Sequence, residues 1–238
     1  MIAAVKSVRE SQPRVGTRKL QEQIGKTGVV VGRDALFDIL RERRMLIRPK
    51  KNFTKTTYSG HSYAVAPNVL KELEVTAPRQ VLVGDCTYLR LQNGLFMYLF
   101  LLTDLYSRRI VGYHVSRDLS HHAALMALGM ARETLGDTAG IVHHTDRGCQ
   151  YCCHEYLAVL REAGMVPSMT DADHVYQNAV AERVNGILKD EFDLDQVFPT
   201  VYAVKGVVQN AINVYNSLRT HWSLGLQTPE EVFNQKVA

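Results

Sequence analysis

The segment Ile141–Phe192 contains two patterns that decide the fold. It opens with IVHHTDRGCQY at 141–151, where the apolar pair Ile141 and Val142 leads into Asp146 and then a glycine. That order is typical of a strand whose end presents a carboxylate at the edge of a sheet. The segment closes with NAVAERVNGILKDEF at 178–192, whose apolar residues recur three or four positions apart. This second pattern predicts a helix that begins after Asn178.

Two charged residues share one face of the predicted helix. Glu182 and Lys189 are seven positions apart, which is about two turns at 3.6 residues per turn. At that separation the two side chains do not pair with each other. They can instead face one substrate, with the carboxylate holding a cation and the lysine holding a phosphate.

A third carboxylate completes a candidate metal site. Asp85 stands in VLVGDCTYLRL at 81–91, which alternates like a strand. Mg²⁺ and Mn²⁺ prefer oxygen ligands, and two such ions about 3.5–4 Å apart activate the attacking oxygen and stabilise the leaving one in phosphoryl transfer. Asp85, Asp146 and Glu182 are therefore predicted to hold Mg²⁺ (or Mn²⁺), as two ions.

Several motifs together resemble the orfB-type integrase-core transposases of bacterial insertion sequences, within the Asp-Asp-Glu transposase and retroviral integrase superfamily. The motifs are HTDRGCQY at 144–151, SMT at 168–170, NAVAER with ILKDE at 178–191, and YNSLRTHWSLGLQTPEE at 215–231. The resemblance covers nearly the whole chain. It implies that Asp85, Asp146 and Glu182 are the catalytic triad and that Lys189 is the basic, DNA-binding residue that follows the glutamate.

Two positions depart from the family pattern. The family usually has an acidic residue where Gln177 stands, and often a glycine where Asp173 stands. Both lie in the loop that positions Glu182, so they bear on the geometry of that loop and on the level of activity.

The resemblance implies an enzyme that cleaves DNA and transfers strands during transposition. Its expected partners are DNA (element ends and target), further copies of the chain in a homo-oligomer on DNA, and an upstream-frame orfA-type subunit. Two alternatives stay open. One is a catalytically inactive DNA-binding remnant, and the other is a ribonuclease H-like nuclease without strand transfer, because hydrolysis and strand transfer use the same carboxylates.

Composition indicates a soluble globular protein. The 238 residues are 46% hydrophobic and 22% charged. The longest apolar run, Leu95–Leu102, has eight residues and is too short to span a bilayer. No signal-peptide pattern is visible at the start. These features predict a cytoplasmic protein without membrane partners.

The net charge of +4 hides an uneven distribution. Residues 1–51 carry 13 Lys and Arg against 5 Asp and Glu, a balance of +8, whereas the remainder carries 15 against 19, a balance of −4. A basic head on a slightly acidic body suggests that the head meets the phosphate backbone of DNA. The alternative is an ordinary solvated basic surface.

Two short helices are predicted in this basic head. They cover Thr17–Ile24, ended by Gly25, and Gly32–Leu46. The pair resembles a helix-turn-helix unit whose second helix is a candidate for the major groove; a small helical bundle without DNA contact is the alternative. By the resemblance, the chain starts inside this unit. The residues predicted to contact DNA here are Arg33, Arg41, Arg43, Arg44, Lys50 and Lys51.

The element order predicts the fold class and the domains. Three strands joined by short turns, then helix, strand, helix, strand and helix, give the order of an α/β ribonuclease H-like integrase core, a five-stranded mixed sheet flanked by helices. The predicted strands are 81–91, 95–106, 109–116, 141–144 and 166–169, and the later helices 120–135, 154–163 and 201–218. The predicted domains are a helix-turn-helix-like DNA-binding segment at 1–50, a linker at 51–78 and the catalytic core at 79–238.

Two further groups of residues have more than one interpretation. Cys149, Cys152 and Cys153 invite a zinc site, but no second cysteine pair accompanies them, and packing is the alternative. Asn216, Arg219 and His221 belong to the last family motif, where they either pack against the Glu182 helix or contact DNA.

Overall fold

The computed structural model describes residues 1–47, 63–171 and 178–235. Lys50, Lys51, Asp173 and Gln177 lie outside the described residues, and so does most of the first half of the predicted linker. The predictions made for these positions therefore stay predictions.

Three helices form the N-terminal unit: α1 (Ile2–Ser11), α2 (Thr17–Lys26) and α3 (Arg33–Glu42). Their apolar faces meet in one small core made of Val5, Val15, Leu20, Ile24, Leu36 and Leu40. The predicted helix ends were wrong in two places. Gly25 stays inside α2, and the chain turns at Gly28 with φ 84°, a conformation that glycine adopts without strain. The next helix ends at Glu42 rather than Leu46.

The sheet has the predicted mixed topology. Its strands are β1 (Val81–Leu91), β2 (Phe96–Asp104), β3 (Ile110–Ser116), β4 (Val142–Thr145), β5 (Val166–Met169) and β6 (Val197–Phe198). The order is β3-β2-β1-β4-β5, with the first three strands antiparallel and with β4 and β5 parallel to β1. The two-residue β6, which pairs with the end of β1, was not predicted because two residues show no period.

Helices cover both faces of the sheet. On one face lie α4 (His121–Leu135), α5 (Cys149–Cys152) and α6 (His154–Glu162); on the other lie α7 (Ala179–Glu191) and α8 (Val201–Ser217). The side chain of Ser120 accepts a hydrogen bond from Ala123 N and caps α4 as predicted. In the described part of the chain, no helix combines the length and the apolar character needed to cross a membrane.

Alternation along β1 assigns its side chains to these two layers. Leu82 packs with α4 and α6, whereas Leu89 and Leu91 pack with α7 and α8. Successive strand residues point to opposite faces, so Asp85 belongs to the odd-numbered row that faces α7. The sheet thus places one acid in a mostly apolar row, directly under the helix that carries Glu182.

A short C-terminal helix, α9 (Pro229–Phe233), begins inside the last family motif. Thr228 and Glu231 form a reciprocal capping box at its start, with Pro229 as its first residue. This arrangement is a recognised start signal, but five residues are too few for the apolar periodicity on which helix prediction relied.

The N-terminal unit docks on the far end of α7 and on the chain after α8. Arg14 N donates to Glu191 O at 3.2 Å, and Lys19 Nζ lies 3.0 Å from Glu191 Oε1. Gln23 Nε2 donates to Leu218 O at 3.2 Å. The basic head is therefore held against the same helix that bears Glu182.

Candidate active site

Asp85 and Asp146 lie side by side on neighbouring strands. β1 and β4 run parallel with Gly84 opposite Thr145, so the next residue of each chain segment is an aspartate. Parallel neighbours are about 4.8 Å apart, and residues in register point to the same face. Asp146 Oδ1 also accepts a hydrogen bond from Gly148 N at 3.0 Å, which turns the chain directly after the acid.

Gly84 permits this close approach. A Cβ at this position would lie 2.9 Å from His143 Cε1 and 2.9 Å from Thr145 Cγ2. Any larger residue would force the side chains of His143 and Thr145 on β4 to shift. The glycine next to the first acid therefore lets β1 and β4 pair with these two side chains in place.

The histidines of β4 belong to the core. His143 Nε2 lies 2.8 Å from the hydroxyl of Tyr156, and His144 Nδ1 lies 2.9 Å from Ser168 Oγ. Burial lowers the pKa of His143 to about 4, so its imidazole is neutral near pH 7. Neither side chain has an assigned role in the candidate chemistry.

Two asparagines fasten α7 to the first strand. Asn178 Nδ2 donates to Gly84 O at 3.0 Å, and Asn185 Nδ2 donates to Asp85 Oδ2 at 2.7 Å. Glu182 lies three residues before Asn185 and so shares its helix face. Sequence reasoning missed Asn185, although its position in the helical pattern already put it beside Glu182. The contact brings the third acid to the same place as Asp85.

The three acids influence one another electrostatically. The pKa of Asp85 rises to about 7, first because of burial and then because of the charge of Asp146, with a smaller contribution from Glu182; hydrogen bonds from Cys86 N and Asn185 oppose the rise. Burial and the charge of Asp146 also raise the pKa of Glu182. Like charges held together in this way would be relieved by a bound cation.

The donor set fits hard divalent cations. All three side chains offer carboxylate oxygens, the ligands that Mg²⁺ and Mn²⁺ prefer. Among the described residues, one group has its ligand atoms within 4.8 Å of one another, His121, Cys153 and Glu155, so the three acids are spread more widely than that group.

Lys189 lies near the first acid. Its Nζ is 4.6 Å from the centre of the Tyr88 ring on β1. Burial lowers the pKa of Lys189, while the negative charge of Asp85 opposes this shift. The lysine is thus held beside the carboxylates by an aromatic contact rather than by an ion pair with Glu182.

The basic residues in and just after α3 lie on the surface. Arg33 and Arg41 on the helix, and Arg43 and Arg44 directly after it, are all exposed. Arg33 pairs with Asp34 and Arg41 with Asp38, both pairs on the helix surface. This surface therefore carries four cations, two of them paired with neighbouring aspartates.

Cys149, Cys152 and Cys153 do not form one group of close ligands. Cys152 is buried, with its Sγ 3.5 Å from the sulfur of Met169, and Cys149 Sγ lies 3.7 Å from Gln150 Oε1. All four cysteines are free. Among the described residues, Cys153 lies with His121 and Glu155 in a group whose ligand atoms are within 4.8 Å of one another, whereas Cys149 and Cys152 join no such group, so the structure favours packing for these two.

The last family motif packs against the rest of the core. Asn216 receives a hydrogen bond from Ile110 N and donates one to Ile110 O, both at 2.9 Å. Arg219 is 2% exposed and holds Glu191 through two bonds, Nε to Oε2 at 2.8 Å and Nη2 to Oε1 at 2.7 Å. For these two residues the structure supports the packing interpretation.

The raised pKa of Asp85 leads to a prediction for the metal-free chain. The pKa of Asp85 is about 7 in the folded chain and ordinarily 3.8, so the protonated carboxyl contributes stability that is fully present below about pH 4. That contribution is lost as the pH rises through 7. Asp85→Asn should remove this loss and raise the free energy of unfolding at pH 8 by at least about 1.4 kcal/mol, the equivalent of one pKa unit. Thermal melts from pH 4 to 8 with EDTA test it.

The matched control is Asp137→Asn, at an exposed acid whose oxygen accepts from Ala139 N, a bond that asparagine can keep. Its melting curve should follow the parent's at every pH. Equal pH dependence for Asp85→Asn and the parent would show that Asp85 is ionised without cost in the fold.

The chain is similar to known proteins over most of its length. Two Integrase core domain models match residues 75–174 and 163–229. The 31 kDa protein of insertion element IS600 from Shigella sonnei is 36% identical over 94% of this chain and 84% of its own length. Transposase InsF of insertion sequence IS3A from Escherichia coli is 30% identical over 96% of this chain and 80% of its own.

Solved integrases share the fold. The catalytic core of HTLV-2 integrase, solved in complex with magnesium, aligns with a TM-score of 0.54 at 15% identity over 68% of this chain and all of that one. A simian T-cell lymphotropic virus intasome chain aligns at 0.56 and 18% identity, over 98% of this chain and 75% of that one. These likenesses support the predicted ribonuclease H-like fold. With the sequence relatives, they show that the chain belongs to the integrase-core transposases of bacterial insertion sequences.

Proposed function

We propose that this transposase uses Asp85, Asp146 and Glu182 to cut DNA at the ends of an insertion sequence and to join those ends to a target. The observation that carries the proposal is the convergence of the three acids, with Asn185 bonded to Asp85 across the gap between α7 and β1.

Divalent cations are part of the proposal. Asp85, Asp146 and Glu182 would hold them, and Mg²⁺ or Mn²⁺, as two ions, would supply Lewis acidity to the phosphodiester. The magnesium bound by the HTLV-2 integrase core, which shares this fold, supports this choice. The chain itself contributes placement: Asn185 orients Asp85, Gly84 lets β1 and β4 pair, and Lys189 holds a DNA phosphate beside the acids.

The partners follow from the same chemistry. DNA is the substrate, at the element ends and at the target. Homo-oligomers on DNA are expected because the integrase relative of this fold was solved as an intasome, and an orfA-type subunit is a further proposed partner. We also propose the domain division at 1–50, 51–78 and 79–238, and a cytoplasmic site of action beside bacterial DNA.

Strand transfer with labelled element ends is the direct test. The protein is incubated with the DNA ends and a target plasmid in Mg²⁺, in Mn²⁺ or in EDTA. Joined products in either metal and none in EDTA would support a transposase. Cleaved ends without joining would favour the nuclease, and DNA binding without either product would favour the inactive remnant.

The exposed arginines of the N-terminal unit allow a separate prediction. Changing Arg33, Arg41, Arg43 and Arg44 together to glutamine should weaken DNA binding and make it less sensitive to salt. Each lost phosphate contact lowers the slope of log affinity against log salt by about 0.9. Fluorescence anisotropy at several salt concentrations measures the slope.

The control replaces Arg132 and Arg161, exposed residues on α4 and α6, with glutamine. These lie in the helix layer on the opposite face of the sheet from α7. An unchanged slope for the four-arginine variant, or an equal loss for the control, would mean that the basic surface of α3 does not engage DNA.

A further inference from the structure

A cavity of about 400 Å³ opens on the side of α7 that faces away from the acids. Its wall on this helix includes Val180, Arg183 and Ile187. At about 100° per residue, Val180 and Ile187 lie nearly opposite Glu182 and Asn185 on the helix, and Arg183 lies about 100° round from Glu182. The cavity is therefore separate from the carboxylate site, although one helix borders both.

Four cations from four segments line the cavity. They are Lys19 of α2, Arg108 of the β2–β3 turn, Arg183 of α7 and Arg219 after α8. Glu191 pairs with Lys19 and Arg219. Among the described residues, Arg108 and Arg183 form no ion pair. Positive charge thus remains for an anion to neutralise.

His221 provides an independent sign of a ligand. It is 8% exposed and lines the cavity, and its Nε2 is buried without a hydrogen-bond partner in the described structure. Burial, followed by the positive charges of Arg219, Lys19, Arg108 and Arg183, lowers its pKa to about 2. A neutral imidazole with an unpaired nitrogen can donate to an oxygen of a bound anion, and a buried polar atom is otherwise costly to leave unpaired.

Trp222 supplies a stacking surface at the edge of the cavity. Its side chain is 58% exposed, although large apolar groups are usually covered. An indole ring beside guanidinium groups is the combination that binds a base and its phosphate in single-stranded nucleic acid. A small inorganic anion would leave the tryptophan without a function.

We propose that this cavity binds a DNA phosphodiester, with the neighbouring base stacked on Trp222. The proposal rests on the proposed function, because it takes DNA as the substrate. The site is about one helix diameter, roughly 10 Å, from the acids, so the contact holds DNA flanking the scissile bond. Arg183 and His221 position that DNA and take no part in the chemistry.

Trp222 is the one tryptophan of the chain, so tryptophan fluorescence reports on the surroundings of this side chain, which also borders a neighbouring pocket lined by Arg18. The full chain is titrated with a short single-stranded oligonucleotide in EDTA, which removes any cation at the acids. We expect saturable quenching, and about tenfold weaker binding for Arg183→Gln, as for the loss of one charged hydrogen bond. Trp222→Ala should weaken binding of a labelled oligonucleotide in anisotropy. Arg161→Gln, on α6, should behave as the parent.

Further measurements distinguish DNA from a small anion as the ligand, and distinguish the cavity proposal from the proposed function. Quenching by pyrophosphate but not by the oligonucleotide would overturn the proposal in favour of a small anion. Oligonucleotide binding without quenching, at equal affinity for Arg183→Gln and the parent, would also overturn it. Strand transfer by the parent is measured in parallel. If strand transfer occurs in that second case, the proposed function stands although the cavity proposal fails. If quenching occurs without strand transfer, the cavity proposal stands and the proposed function fails. Unchanged Mg²⁺ stabilisation in Arg183→Gln shows that the adjacent Glu182 is undisturbed.

Discussion

Glu182→Gln is expected to lower both DNA cleavage and strand transfer by at least about 10²-fold, which is what the loss of one key electrostatic contact often costs. Glutamine keeps the size and the helix propensity of the residue but removes the negative charge, and a neutral amide is a poorer ligand for a hard cation between carboxylates. Glu182 is exposed on the first turn of α7, so the fold and DNA binding should be preserved. Labelled DNA ends with Mg²⁺ or Mn²⁺ measure both reactions.

Lys189→Ala is the comparison for this variant. Lys189 contacts the Tyr88 ring rather than a carboxylate, so its loss should weaken DNA engagement while cation binding stays largely intact. Parental strand transfer by Glu182→Gln would mean that the third acid is misassigned, and Asp173 would then become the acid to test.

Arg219→Met is expected to lower the free energy of unfolding by about 3–5 kcal/mol, the range for removing one partner of a buried ion pair. Burial opposes ionisation of Glu191, but the hydrogen bonds and charges of Arg219 and Lys19 outweigh it and lower the pKa of Glu191. Without Arg219, this carboxylate stays half-buried with Lys19 as its remaining cation. Urea unfolding measured by circular dichroism gives the change.

Two further variants sharpen this result. Arg219→Met combined with Glu191→Met should recover most of the loss, because a buried pair replaced by apolar groups is often nearly neutral. Arg41→Met, at an exposed pair with Asp38, should leave the unfolding midpoint unchanged. A single Arg219→Met variant as stable as the parent would contradict the view that this pair fastens α7 to the C-terminal motif.

Regular elements were predictable because their signals are local. The alternation of β1, the cap at Ser120 and the helical period after Asn178 each depend on residues within a few positions. Errors arose where the deciding contact is distant or the element is short. Gly25 and Gly28 carry the same local signal for a helix end, and the prediction chose Gly25 although the chain turns at Gly28. α9 and β6 have too few residues to show a period.

The sequence by itself determined the family and the order of the longer strands and helices, and it selected the three acids that we propose as the catalytic site, because spacing and residue type are properties of the chain. The tertiary structure decided how α7 is held. Asn185 meets Asp85 across 100 positions, and Glu191 gathers Lys19 and Arg219 from opposite ends of the chain. The packing of the helices against the sheet determines such partners, and no local sequence pattern predicts them. The basic cavity with His221 and Trp222 exists for the same reason: its four cations come from segments that meet only in the folded protein.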